Sequence, residues 1–377
     1  MLTSTQTQML QLLARSGPMS RTMLAEGSGL SKPAITVVMR ELVGLGFVED
    51  AARPEGARGT SRPMTLRGGA ACFVGVSMAE RDAVLVLSDL VGKTLGQMTV
   101  SAGARTGGWT PDMLVEAVAR AMPELMAGHA TGPSGVGVAV PGFVDLAGRR
   151  CRQSTRLGWT NVPLAALLQE RLGLPVRLEN DAHALARGMQ MSTRMSSFSL
   201  VSVDQGIGCG HVVDGRLLRG RHGGAGEIAH VTLRPGGLPC RCGKRGCLDT
   251  LSSLRALADV ARAGRMATSP APLQRLADAG FGAAVRLLQD GGSALGLAIA
   301  QMIQCLDPGK VLIGLDPALA TGVYGVTACR AIAANVLDGF AGSATGEPIG
   351  FVTIAPSAWA EGAAGVAAHR YLWGADE

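Results

Sequence analysis

Aromatic residues are scarce in this chain of 377 residues: seven Phe, four Trp and two Tyr, 3% of the total. A core has to be packed from Ala, Val, Leu, Ile and Met instead, and a hydrophobic content of 47% is enough for a large one. No apolar run approaches the roughly 18 residues that a membrane-spanning helix requires, so no membrane partner is expected. Met1 to Gln11 lack a basic segment followed by an apolar one. That argues against a secretory leader and for the cytoplasm. Low complexity and strong charge bias are also missing, so composition marks no disordered segment. The length exceeds what one core serves and implies two or three domains. Lys and Arg outnumber Asp and Glu by 35 to 29, a net charge of +6. Such a surplus favours nucleic acid only where it is localised. Of eight cysteines, Cys72, Cys151, Cys209, Cys305 and Cys329 stand apart among apolar or small residues and read as buried free thiols in a reducing compartment. Cys240, Cys242 and Cys247 are clustered and need a different explanation.

Residues 1–50 read as three helices. Met9, Leu10, Leu12 and Leu13 give the first an apolar side, and Ser20 is placed to cap a short second helix. Gly27 and Gly29 break the chain; Ser31 then caps a third helix with Pro33 in its first turn, where a missing N–H costs nothing. Two helices around a short glycine-bearing turn form the helix-turn-helix pattern. On the third helix Ile35, Val38, Met39, Leu42 and Leu45 recur at helical spacing and are expected to be buried. Lys32, Thr36 and Arg40 fall at i, i+4 and i+8 and make one polar stripe suited to a major groove. Two short strands, around Phe47 to Glu49 and Met64 to Leu66, flank a stretch carrying Arg53, Arg58 and Arg62, the layout of a basic wing. A three-helix unit alone could equally bind protein. Its combination with a basic wing favours double-stranded DNA, contacted by Lys32, Thr36, Arg40, Arg58 and Arg62. The segment "MSRTMLAEGSGLSKPAITVVMRELVGLGFVED" resembles the winged helix of the ROK family (repressors, open reading frames and kinases).

Gly68 to Ala70 look like a hinge. Beyond them strands alternate with helices, as in an α/β domain. Strands are expected at Cys72 to Val76, Ala83 to Ser88, Leu95 to Val100 and Gly135 to Val140, with a helix from Pro111 to Met126. The pattern resets at Ser199 to Val203 and Gly208 to Val213, and long helices follow near 281–306 and 317–336 around a strand at Lys310 to Ile313. This fits an α/β fold with an N-terminal winged helix-turn-helix and a two-lobed, actin-like sugar-kinase domain with a cleft between the lobes. The expected division is 1–67 for the DNA-binding domain, 71–190 for the first lobe with a C-terminal helix 357–372 packing back on it, and 191–356 for the second lobe.

Cys240, Cys242 and Cys247 lie in a loop rich in Gly, Pro and Arg, where Gly243 and Gly246 permit tight turns. Thiolates this close can share one ion, and zinc takes four sulfur or imidazole donors in a tetrahedron. His230 is the best fourth ligand, with His222 as its competitor. The segment "GAGEIAHVTL…PCRCGKRGCLDT" resembles the ROK zinc signature, whose His and three Cys fall on His230, Cys240, Cys242 and Cys247. With all four positions filled by the protein, the site reads as structural.

In "LPVRLENDAHALA", Glu179, Asn180 and Asp181 stand at a strand end before a helix, where open α/β sheets bind ligands. An amide beside a carboxylate suits adjacent hydroxyls, although an Asn-Asp pair is also an ordinary helix cap. The ROK resemblance implies that Asn180, Asp181, Glu227 and His230 contact a sugar, with Asp181 in the position of the kinases' catalytic base. Asp249 replaces the usual Glu of that pocket, and its shorter side chain alters the fit.

Phosphoryl transfer needs a glycine-rich cradle of backbone N–H groups and a metal-binding carboxylate. ROK kinases carry Asp-x-Gly-Gly-Thr after the first strand. Here the stretch is Ser77-Met78-Ala79-Glu80-Arg81. The second phosphate loop reads Asp204-Gln205-Gly206-Ile207-Gly208, with a further acid. The expected protein is a sugar-responsive transcription regulator and no enzyme, a homodimer or homotetramer that binds an operator, zinc, and a sugar or sugar phosphate. The competing readings are an active sugar kinase with a DNA-binding appendage and a regulator that answers only to a protein partner.

Overall fold

The computed structural model describes residues 2–52, 62–79, 81–102, 108–266, 269–338 and 349–374. It divides into two units, Met1–Met195 with Ser357–Glu377, and Ser196–Pro356.

The first unit opens with helices α1 (Ser4–Ser16), α2 (Arg21–Ser28) and α3 (Lys32–Gly44). Each starts on a side-chain cap. Thr3 and Gln6 form a reciprocal capping box, Ser20 accepts from Met23 N, and Ser31 accepts from Ala34 N. Gly29 ends α2 in the left-handed region at φ 73°. Strands β1 (Val48–Asp50) and β2 (Met64–Leu66) pair antiparallel, with Val48 opposite Leu66. Ile35, Met39 and Leu42 are buried, and Val38 partly so. Leu45, expected inside, is exposed: it follows the last helical residue, where the repeat that aligned it with Leu42 stops.

A hinge at Gly68 to Ala70 is not what the chain forms. These residues make a 3-10 turn whose Gly68 carbonyl accepts from Leu90 N, while Arg67 N donates to Phe47 O. The space a Cβ on Gly68 would need is filled by Asp89. The winged-helix core is correspondingly shared. Met9, Leu10, Leu13, Met39 and Leu42 join one buried cluster with Phe73, Leu90, Ala364, Ala368 and Leu372.

The first unit's sheet comprises β3 (Cys72–Met78), β4 (Asp82–Asp89), β5 (Thr94–Ser101), β6 (Val136–Val140) and β10 (Val176–Asn180). Its order is β10-β6-β3-β4-β5, parallel across β10, β6 and β3 and antiparallel beyond. Helices α4 (Pro111–Leu125) and α5 (Leu164–Leu172) supply residues to its core, and a three-stranded sheet of β7 (Phe143–Val144), β8 (Cys151–Ser154) and β9 (Trp159–Val162) stands beside them. Helix α6 (Asp181–Thr193) leaves the end of β10.

The second unit repeats the topology. Strands β11 (Phe198–Val203), β12 (Ile207–Val213), β13 (Arg216–Leu217), β14 (Val311–Gly314) and β15 (Ile349–Val352) are ordered β13-β12-β11-β14-β15, again parallel across β11, β14 and β15 only. In both units the first strand is central, a meander runs to one side, and two later strands add to the other. Helices α7 (Asp249–Ser252), α8 (Leu254–Ala263), α9 (Pro270–Asp278) and α10 (Gly282–Leu306) follow β13. The helix expected over 317–336 is split at Gly322 into α11 (Pro317–Thr321) and α12 (Val323–Asn335). The Gln274 side chain accepts from Val323 N and so starts the second piece from outside. Cys305, expected to be buried, is exposed near the end of α10.

The chain returns to the first unit as α13 (Ala358–Trp373), and glycine makes its seat. A Cβ on Gly75 of β3 would collide with Ala360 O, one on Gly137 of β6 with Ala363 O, and one on Gly362 with Ala184 O of α6. Backbone meets backbone at all three places, so a methyl group cannot be absorbed by rotating a side chain. Gly137→Ala and Gly362→Ala should each destabilise the protein by about 1–3 kcal/mol. Gly132→Ala, which meets nothing within 4 Å, should be neutral. Thermal unfolding of the three variants checks this, and equal melting temperatures would refute the close approach.

Candidate functional sites

The side of α3 expected to face DNA is open. Lys32, Thr36 and Arg40 are exposed. Thr36 Oγ1 donates to Lys32 O at 2.9 Å, which keeps the hydroxyl oxygen free to accept. Glu41, next to Arg40, is exposed, and its Oε2 accepts from Gln6 Nε2 at 2.9 Å. Arg62 is exposed at the start of the returning wing strand, and Arg58 lies outside the described residues.

Asn180 ends β10 and caps α6. Its Oδ1 accepts from His183 N at 3.1 Å and its Nδ2 donates to Gly142 O at 3.1 Å. The amide therefore fixes the strand-to-helix corner. Asp181, the first residue of α6, is half-buried, and its Oδ1 accepts from Ala182 N at 2.9 Å. Desolvation pushes its carboxyl above the usual carboxylate range, opposed by the Ala182 N–H and by the Arg156 and His183 charges.

In the second unit Glu227 precedes the 3-10 turn Ile228–His230. His230 Nε2 stands 3.8 Å from Glu227 Oε2, and its Nδ1 stands 3.5 Å from Cys240 Sγ. One ring nitrogen thus faces the thiols and the other a carboxylate. Burial, aided by Lys244 and Arg241 and opposed by Asp249, lowers the imidazole pKa. This favours the neutral ring that a metal ion needs.

The ligating atoms of His230, Cys240, Cys242 and Cys247 all lie within 4.8 Å of one another, and Cys242 Sγ is 3.7 Å from Cys247 Sγ. Tetrahedral coordination with metal–sulfur bonds of about 2.3 Å spaces its ligands about 3.8 Å apart. The donor set fits one ion. His222 is exposed and outside this group. Gly246, at φ 73°, makes the loop possible: a Cβ there would strike Arg234 O. Antiparallel bridges Thr232 to Cys247 and Pro239 to Arg245 hold the two sides of the loop together.

Asp249 is placed differently from an open pocket carboxylate. Its side chain is 2% exposed, Oδ2 lies 3.0 Å from Arg255 Nη2 and 3.5 Å from Arg241 Nη2, and Oδ1 accepts from Ile207 N at 3.3 Å. Sequence reasoning missed both arginines. One stands between two metal ligands and the other on a helix, and neither position carries a pattern. Arg194 was missed for the same reason. It ends α6 in the left-handed region at φ 57°, donates from Nη1 to Ala14 O at 3.3 Å, and lays its guanidinium against Gly17 at the end of α1. Nearby, Gln11 Nε2 donates to Leu372 O at 3.1 Å and Arg15 lies over the Trp373 ring at 5.4 Å.

The turns matching the kinase phosphate loops use their own amides. Ala79 N donates to Asp82 O at 2.7 Å across the β3–β4 turn, and Asp204 N donates to Gly206 O at 2.9 Å. Ile207 N is the amide that Asp249 holds. Glu80 lies outside the described residues.

These features define a winged-helix DNA-binding domain fused to a two-unit, sugar-kinase-like α/β domain. Residues 73–368 match the model of the ROK family, and residues 2–60 match that of the MarR family. The chain belongs to the ROK family. It is 26% identical over 310 residues to the xylose repressor of Bacillus subtilis, covering 81% of this chain and 80% of that protein. It is 29% identical over 264 residues to a glucokinase of Halalkalibacterium halodurans, covering 64% of this chain and 79% of the enzyme. The crystal structure of a ROK family transcriptional regulator, a homologue of the Escherichia coli MLC protein, superposes with a TM-score of 0.79 at 23% identity, covering 98% of this chain and 96% of that one. That likeness establishes the fold along nearly the whole chain, winged helix included.

Metal analysis of protein purified without chelator should find about one bound ion per chain. Cys242→Ser should lose it and lower the melting temperature, as should a strong chelator. Stoichiometric metal retained in both Cys242→Ser and Cys247→Ser would exclude the cluster.

Proposed function

We propose that this protein is a sugar-responsive transcriptional repressor of the cytoplasm, whose kinase-like domain binds a sugar or sugar phosphate without phosphorylating it. Asn180, Asp181, Glu227, His230 and Asp249 supply the donors and acceptors for the sugar. The metal at His230, Cys240, Cys242 and Cys247 is zinc in a structural role, which suits three thiolates and an imidazole. It holds the His230 ring through Nδ1, which leaves the proton on Nε2 to be donated. Lys32, Thr36, Arg40, Arg58 and Arg62 contact double-stranded DNA, and a homodimer or homotetramer presents them in pairs to an operator.

The observation that carries this reading is the shared core. A DNA-binding unit packed into the ligand-binding unit, with no free hinge between them, has a physical route for sensing it. Helix α6 is that route. Asn180 and Asp181 stand at its start and Arg194, about 20 Å away, at its end. A ligand that moves the first turn of α6 moves the guanidinium that holds α1. Such coupling requires only that sugar and DNA prefer different positions of one element.

The glucokinase relative makes an active kinase the second reading. Against it stand the amides already engaged at Ala79, Asp204 and Ile207 and the acid at Asp204, because polyphosphate binding depends on free N–H groups.

In a panel of hexoses, pentoses and amino sugars, at least one should raise the melting temperature and weaken operator binding, while magnesium-ATP should do neither. No sugar phosphate should form with all three present. Asp181→Ala should abolish the sugar response, since a buried hydroxyl left without its acceptor costs about 1–3 kcal/mol. ATP-dependent phosphorylation of any sugar, lost in Asp181→Ala, would restore the kinase.

A further inference from the structure

Two arginines converge on one carboxylate beside Glu227 and His230, and their charges do not balance. Arg255 Nη2 lies 3.0 Å from Asp249 Oδ2 and forms the hydrogen bond. Arg241 Nη2 stands off at 3.5 Å from the same oxygen. The remaining oxygen, Oδ1, is taken by Ile207 N. Asp249 is thus satisfied by Arg255 and one backbone amide, and Arg241 is a second cation that it does not need.

Exposure separates the partners. The Asp249 side chain is 2% exposed, whereas those of Arg241 and Arg255 are 34% and 31% exposed. The carboxylate sits behind and the guanidiniums stand in front. Arg255 Nε is also buried without a hydrogen-bond partner, so this guanidinium is incompletely satisfied by the protein. Arg241 lies over the glycine turn Asp204 to Gly208: a Cβ on Gly206 would be 3.3 Å from Arg241 Nη2. The guanidinium therefore packs closely over this glycine turn.

Neighbouring charges are mixed, with the Glu227 carboxylate 3.8 Å from His230 Nε2 adding one acid. Three thiolates around a divalent ion carry one net negative charge, and Lys244 faces it, with Nζ donating to His230 O at 2.7 Å. Asp204, on the same turn as Gly206, is exposed and makes no ion pair among the described residues. Guanidinium groups bind carboxylate and phosphate through parallel N–H donors, which suits them to a planar or tetrahedral anion.

We propose that the effector is an anionic sugar, bearing a phosphate or a carboxylate that Arg241 and Arg255 bind while Glu227 and His230 take its hydroxyls. Asp249 is their internal counter-ion, which keeps two like charges together when no ligand is bound. The inference rests on the reading of Glu227 and His230 as sugar contacts.

The test is calorimetric binding to the full-length, metal-loaded protein. The probes are neutral hexoses, their 6-phosphates, the matching hexuronates and inorganic phosphate. The variant is Arg241→Gln, because Asp249 keeps Arg255 and Ile207 and the fold should survive. One anionic form should bind at least tenfold more tightly than its neutral parent, and Arg241→Gln should remove that preference while leaving the neutral parent unchanged. A preference for the phosphate or for the uronate identifies the anion, and either supports the inference. Neutral sugars that bind as well as both anionic forms, or a preference that survives Arg241→Gln, would overturn it while the sugar reading stands. Inorganic phosphate bound by wild type and lost in Arg241→Gln, with no sugar of any form bound, would keep the anion site and overturn the sugar reading. No binding of any probe would overturn both.

Discussion

The first unit depends on the close seating of α13. Gly75, Gly137 and Gly362 bring its backbone against β3, β6 and α6 at distances that no side chain permits. The same helix gives Ala364, Ala368 and Leu372 to the cluster that holds the winged helix. Its last turn contacts α1 through Leu372 O and Trp373. One helix from the end of the chain therefore completes the sheet that positions Asn180 and Asp181 and also supports the domain that carries Lys32, Thr36 and Arg40. Small residues make this possible.

The second unit is organised around its metal loop. Short bridges and positive-φ glycines fold residues 231–247 so that one imidazole and three thiols meet. That loop carries Arg241 outward between two ligands and places it against Asp249 and Gly206. Metal, carboxylate and glycine turn are thus one connected structure. In the proposed reading, loss of an ion from this cluster would disturb Arg241 and His230 together.

Features carried by spacing or local chemistry were legible in the sequence. The caps at Ser20 and Ser31, the apolar side of α3, the strands of the first sheet, β11, β12 and β14 of the second, and the cysteine spacing each express a rule that acts within a few residues. What was not legible depended on distant partners. Gly68 to Ala70 suggest flexibility until Asp89 and Leu90 pin them. Gly322 divides a continuous helical pattern because Gln274 arrives from another helix. The strands β7 to β9 are two to four residues long and too short to show a period. Asp249 had the residue type of a pocket ligand, and only the fold reveals that Arg255 and Ile207 already engage it. Arg194, Arg241 and Arg255 resemble any solvated arginine in the sequence.

The central claim is that ligand occupancy of the kinase-like domain reaches the winged helix through α6. Arg194→Gly tests it cleanly, because glycine favours the left-handed backbone at this position and the helix end should be preserved. Operator binding is to be followed by fluorescence anisotropy with and without the stabilising sugar. Wild type should change DNA affinity by about 5- to 150-fold on sugar binding, the usual range of allosteric coupling. Arg194→Gly should still bind sugar and DNA separately but lose most of that change. A full sugar response in Arg194→Gly would contradict the account.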